Sequence, residues 1–138
     1  MQIVIIEDEQ LAARRLENMI LEYDPDIQVL AKLESVTDSL KWFRNHPVPD
    51  LIFLDIHLED NLSFAIFDSI SITCPIVFTT ATDELSTRGF AIKKIDFLLK
   101  PIIQSELEKM IEKYKHLPVS ERQTVDASLF TDIIKKSK

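Results

Sequence analysis

Short apolar runs alternate along the chain with stretches in which apolar residues recur every three or four positions. The runs are Gln2–Ile6, Ile27–Leu33, Leu51–Asp55, Ile76–Thr79 and Asp96–Leu99, each of strand length and rich in Ile, Val, Leu or Phe. Nearly unbroken apolar runs belong to strands covered on both faces, and the amphipathic stretches between them supply the cover. The pattern predicts an α/β domain with a parallel sheet between helices.

A first helix is expected over Gln10–Tyr23, where Ala12, Leu16, Met19, Ile20 and Tyr23 share one face and Asp24-Pro25 stops it. Ser35 can cap a second, carrying Val36, Leu40 and Phe43 and ending before His46-Pro47; a third should cover about Leu62–Ile70. A fourth, near Glu84–Lys93, contains Gly89, and glycine costs a helix interior about 1 kcal/mol relative to alanine. The fifth repeats the helical spacing in Ile103, Leu107, Met110, Ile111 and Tyr114. Beyond it the texture turns polar around Pro118, then Leu129, Phe130, Ile133 and Ile134 form a small apolar stripe before Lys135-Lys136-Ser137-Lys138. The expected division is a domain over 1–116, then a linker and short amphipathic helix over 117–138 that connect to a module outside this sequence, the plainer alternative being a helix folded back on the domain.

A chain of 138 residues has room for one domain with a real core. It contains no apolar run near the ~20 residues that span a bilayer and no basic-then-apolar leader, so a soluble cytoplasmic protein without membrane attachment is expected. The formal charge of -7 opposes contact with a polyanion, so any role at DNA must come through another part of the protein. Cys74 is the single cysteine, which excludes an internal disulfide; beside Pro75 at the head of an apolar run it reads as a small buried filler.

Parallel strands joined by right-handed crossovers all point one way, so the residues that end them gather at one rim, where such sheets place ligand sites. Here Glu7, Asp8, Asp55, Thr80 and Lys100 should converge. Each has a humbler reading: an acid can serve a following helix N-terminus, a threonine a turn, a lysine the surface. Together they place three carboxylates and an ammonium at one rim, a costly cluster that a metal ion or an anion would justify.

The segments IIEDE, LIFLDIHL, TTAT and DFLLKP, spread from Gln2 to Lys115, resemble the receiver domains of two-component response regulators. The wording FTTATDE followed by IDFLLKPI is most similar to receivers that precede LytTR-type DNA-binding domains in bacteria. The resemblance implies a flavodoxin-like, doubly wound (βα)5 fold with strand order 2-1-3-4-5. It implies that Asp55 is the phosphoacceptor, taking a phosphoryl group from a sensor histidine kinase, and that the domain is a switch and not an enzyme acting on an external substrate. Asp8, Asp55 and the backbone carbonyl of His57, with Glu7 in the outer shell, would hold Mg²⁺ or Mn²⁺ through oxygen ligands. Lys100 would pair first with Asp55 and then with a phosphoryl oxygen, and the Thr80 hydroxyl would bind another. The family also has a cis bond before the proline that follows this lysine, here Lys100-Pro101. Thr80 is the switch threonine by its place before Ala81, with Thr79 facing the other way. Phe97 stands at the switch-aromatic position, where tyrosine is commoner. Receivers of this family pair through the face made by the fourth helix, fifth strand and fifth helix. That face here would offer Arg88, Lys93, Lys94 and Lys109 opposite Asp96, Glu106, Glu108 and Glu112, a set able to form a homodimer.

The loop after Asp55 departs from the family, reading Glu59-Asp60-Asn61 where glycine is usual. Asparagine tolerates a left-handed backbone, so the turn can survive, while Glu59 can repel a donor's phosphate or position water. Two other functions fit less well. An aspartyl-nucleophile phosphatase wants a second Asp two residues after the first, where His57 stands, and an unphosphorylated dimerisation module has no need of Asp8, Asp55, Thr80 and Lys100 together.

Overall fold

The computed structural model describes residues 1–56, 58, 60, 65–70, 72–81 and 96–116. The expected fourth helix with Gly89, Arg88, Lys93 and Lys94, the start of the third helix, His57, Glu59, Asn61 and the 117–138 tail lie outside the described residues. The strands are β1 (Gln2–Ile6), β2 (Gln28–Leu33), β3 (Leu51–Asp55), β4 (Ile76–Thr80) and β5 (Asp96–Leu99), and they form one sheet of order β2-β1-β3-β4-β5. Every pairing is parallel. The expected order and direction are those observed.

Burial separates the strands as their sequences require. In β3 and β4 every residue is buried, and in β1 all but the first, which is why these runs lack polar alternation. At the edge, β2 alternates between exposed and half-covered positions until its last residue, Leu33, which is buried. Ile27, expected to open β2, instead donates its amide to the Asp24 carbonyl at 3.2 Å, and the strand begins one residue later. At its far end β4 reaches Thr80, one residue further than the apolar run indicated, because Lys100 N–H donates to the Thr80 carbonyl at 2.7 Å and continues the β4–β5 pairing.

The helices are α1 (Gln10–Tyr23), α2 (Val36–Asn45), α3 (Ile66–Ser69) and the helix Gln104–His116, called here the Gln104 helix. One apolar layer packs Ile3, Ile5, Leu51, Phe53, Val77 and Leu98 under α1 and the Gln104 helix. The other packs Val4, Ile6, Ile52, Leu54, Ile76 and Phe78 under α2 and α3, with Phe97 partly covered at its margin. Alternate residues of each strand thus feed opposite layers. Cys74 is buried in the second layer, as its sequence setting implied. Burying a large side chain fully contributes about 1.5–3 kcal/mol, so these two layers fix the sheet whose C-terminal rim carries the polar residues.

Candidate functional site

Chain geometry brings most of the predicted rim residues together. β1 delivers Glu7 and Asp8, β3 ends on Asp55, and β5 hands over to Lys100 one residue after its end. Carboxylate oxygens of Glu7, Asp8 and Asp55 all lie within 4.8 Å of one another. Glu7 and Asp55 are buried, Asp8 is half-buried, and the Lys100 ammonium donates to Asp55 Oδ2 at 3.2 Å and, more closely, to Glu7 Oε1.

Backbone bonds hold these positions. Ile56 N–H donates to the Thr79 carbonyl at 3.2 Å, Glu7 N–H to the Leu33 carbonyl at 2.8 Å, and Lys100 is fixed through Thr80 as above. The peptide bond between Lys100 and Pro101 is cis, as the resemblance implied. Glu7 Oε2 also accepts from Glu9 N–H at 3.3 Å at the entrance of α1, so this acid performs part of the humbler task considered for it.

Both threonines of β4 are buried, Thr80 completely. Thr79 pairs in register with Asp55 and lines a cavity of about 320 Å³ with Ile5, Phe53, Glu7 and Lys100. Thr80 follows on the opposite face of the strand, one residue closer to the rim. Phe97 is half-buried and pairs with Phe78 across β4 and β5. His57 lies outside the described residues, so its carbonyl is not placed.

The electrostatics follow from the crowding. Burial, then the neighbouring Glu7 carboxyl, raises the Asp8 pKa above the ordinary 3.8. Lys100 is opposed by burial, but Glu7 and Asp55 outweigh it and hold its pKa above 10.5. One ammonium shared by two buried acids leaves the cluster with an excess of negative charge. Clustered oxygen donors of that kind suit a hard divalent cation such as Mg²⁺ or Mn²⁺. The residues present therefore fit the metal that the resemblance implied.

Two features were not foreseen. Glu7 was expected in an outer shell around a metal or at the start of the first helix, yet it is also the closer partner of Lys100. Asp60 was seen only as part of an unusual loop, yet its carboxylate caps α2: Oδ1 accepts from Val36 N–H at 2.9 Å, and Oδ2 from Thr37 N–H and the Thr37 hydroxyl, each at 3.2 Å. The available signal was that Ser35 satisfies a single first-turn amide, that of Asp38, leaving others without an acceptor.

Comparison with known proteins gives a consistent picture. A family model described as the response regulator receiver domain matches residues 3–112. A sensory transduction protein LytT of Enterococcus faecalis is 31% identical over 116 residues, which cover 82% of this chain and 47% of that protein. The transcriptional regulatory protein YpdB of Escherichia coli is 31% identical over 116 residues, with the same coverages of 82% and 47%. The chain spans about half the length of the curated relatives it matches. Among solved structures, the response regulatory domain of protein mrkE from Klebsiella pneumoniae superposes with a TM-score of 0.71 at 27% identity, covering 83% of this chain and 95% of that one. A CheY-like receiver domain from Methylobacillus flagellatus, at 24% identity and a TM-score of 0.65 over 83% of this chain and 98% of its own, shares the fold.

Proposed function

This chain belongs to the response regulator receiver domain family, and from that premise we propose that Asp55 accepts a phosphoryl group from the phosphohistidine of a sensor histidine kinase. The observation that carries the proposal is the single ammonium of Lys100 held between Asp55 and Glu7 at the rim where three strands end. In the transfer an Asp55 carboxylate oxygen forms a bond to phosphorus as the bond from phosphorus to the kinase imidazole breaks, and the departing imidazole takes up a proton. Lys100 neutralises Asp55 beforehand and can follow the new phosphoryl oxygens without leaving Glu7. The Thr80 hydroxyl is proposed to bind a second phosphoryl oxygen and Phe97 to turn inward in response.

Asp8 and Asp55 would hold Mg²⁺ or Mn²⁺, with the His57 carbonyl as a further ligand and Glu7 in the outer shell. When bound, the cation neutralises charge on the acids and on the transferring phosphoryl group. The same residues would serve dephosphorylation by water, so the chain assists its own modification and turns over no external substrate.

The output is proposed to lie outside this sequence. Residues 1–116 form the receiver, and 117–138 a linker and short helix leading to a LytTR-type DNA-binding domain; the family match ending at residue 112, the names of the relatives and their greater length support this. DNA would be met only through that domain. Among the described residues no helix is long and apolar enough to cross a membrane, and a phosphohistidine donor implies a cytoplasmic setting. Phosphorylation would favour a homodimer through the 84–93 segment, β5 and the Gln104 helix. On that face the described part offers Lys109 and Lys113 beside Asp96 and Glu106 around an exposed Leu99. Exposed pairs contribute only ~0–1 kcal/mol each, so such a dimer should be weak.

Beryllofluoride, which mimics the acyl phosphate, tests both parts. It should bind in the presence of Mg²⁺ and not after chelation, fail to bind Asp55→Ala, and shift sedimentation toward a dimer at high protein concentration. Equal binding with chelator would remove the site assignment, and an unchanged monomer would remove the dimer.

A further inference from the structure

Asp60 follows Asp55 by five residues but makes hydrogen bonds to the first turn of α2, 23 and 24 residues earlier in the chain. A helix N-terminus needs acceptors for its orphan amides, and a side chain from the adjoining loop ordinarily supplies them. Here Ser35 supplies one, and an acid from a loop 24 residues away supplies the next two together with a bond to the Thr37 hydroxyl. The amide of Val36 is the largest influence holding the Asp60 pKa below the ordinary value; burial opposes it, and the Thr37 amide adds to the lowering. The consequence reaches beyond helix stability.

The chain leaving Asp55 is pinned at every described position: Ile56 and Leu58 are buried in the same apolar layer that receives Val36, and Asp60 is bonded to α2 itself. The anchor is also tied to the acid cluster by a second route. Leu33, which precedes α2, accepts the amide of Glu7 at 2.8 Å.

We propose that Asp60 is a positioning residue for the phosphoacceptor loop: by docking on the N-terminus of α2 it holds the backbone beyond Asp55 in place and sets how tightly the acid cluster takes up a divalent cation. The inference rests on the phosphoacceptor reading above. It also gives a use to a loop that departs from the family's glycine, since a carboxylate can fasten the turn to α2 from outside.

Calorimetric titration of the whole 1–138 chain with Mg²⁺, beside acetyl phosphate labelling of Asp55, tests it. Asp60→Ala should weaken Mg²⁺ binding by about 10-fold, as loss of a group that orients metal ligands does, while labelling at saturating Mg²⁺ reaches the wild-type extent. Asp60→Asn, which keeps one acceptor oxygen, should weaken it less. Unchanged Mg²⁺ affinity in a less stable Asp60→Ala would reduce Asp60 to a helix cap and overturn the proposal. Equal weakening in both variants would trace the effect to the lost charge and overturn it as well. If Asp60→Ala does not fold, Thr37→Val carries the test, because it removes one bond and no charge; wild-type affinity there would be contrary. A wild-type chain that takes no label at Asp55 would instead defeat the phosphoacceptor reading.

Discussion

Lys100 is one ammonium for two buried acids, and that inequality governs the rim. Because Glu7 is the closer partner, Lys100 keeps a counter-charge when Asp55 is altered. Asp55→Asn should therefore relieve repulsion among Glu7, Asp8 and Asp55 without orphaning the lysine, raising metal-free stability by about 1 kcal/mol, or roughly 3–6 °C in a domain of this size. Thermal melts in chelator measure this, and a fall in midpoint would show that the 3.2 Å pair with Lys100 outweighs the repulsion. Asp55, Asp8 and Lys100 could be read from the sequence because each follows an apolar run, which fixes its place on the rim. The part taken by Glu7 could not. Two adjacent acids after a strand look alike until the fold turns one under the sheet edge and leaves the other half exposed.

Among the elements, α1, β3 and β5 have the bounds their patterns predicted, since each has a sharp stop: Asp24-Pro25, Asp55 and Lys100-Pro101. α2 was legible from Ser35 and Val36, but its second cap was not, because Asp60 comes from a distant loop and hydrophobic periodicity carries no trace of it. The Gln104 helix is held to β5 in a comparable way. Tyr114, buried on that helix, donates its hydroxyl to Asp96 Oδ2, which also accepts from Lys113 at 2.8 Å. Burial, and then the bond to Asp96, raise the Tyr114 pKa well above 10.0. An acid whose folded pKa is raised stabilises the fold fully below its unfolded pKa and loses that contribution as the pH climbs through its folded value. Tyr114→Phe should thus cost about 1 kcal/mol at neutral pH, a difference that holds up to pH 10.0 and narrows above it. Urea melts of both proteins on either side of that value check the sign; a gap that widens in alkali would contradict the assignment.

At the scale of the whole molecule, a sheet covered on both faces sends its unmatched polar groups to one end. The sequence showed this because in β3 and β4 the apolar residues give way to polar ones only at the strand's C-terminal end. Within a chain of formal charge -7, three acids face one ammonium at that rim. β5 joins Lys100, just past its rim end, to Asp96 and, through it, the Gln104 helix at the other. The central claim, that Asp55 is the residue modified, is tested most directly by intact mass after incubation with acetyl phosphate and Mg²⁺. The account predicts the added mass of one phosphoryl group on the wild-type chain, none with chelator and none on Asp55→Asn. Equal modification of Asp55→Asn, or an unmodified wild-type chain in saturating Mg²⁺, would contradict it.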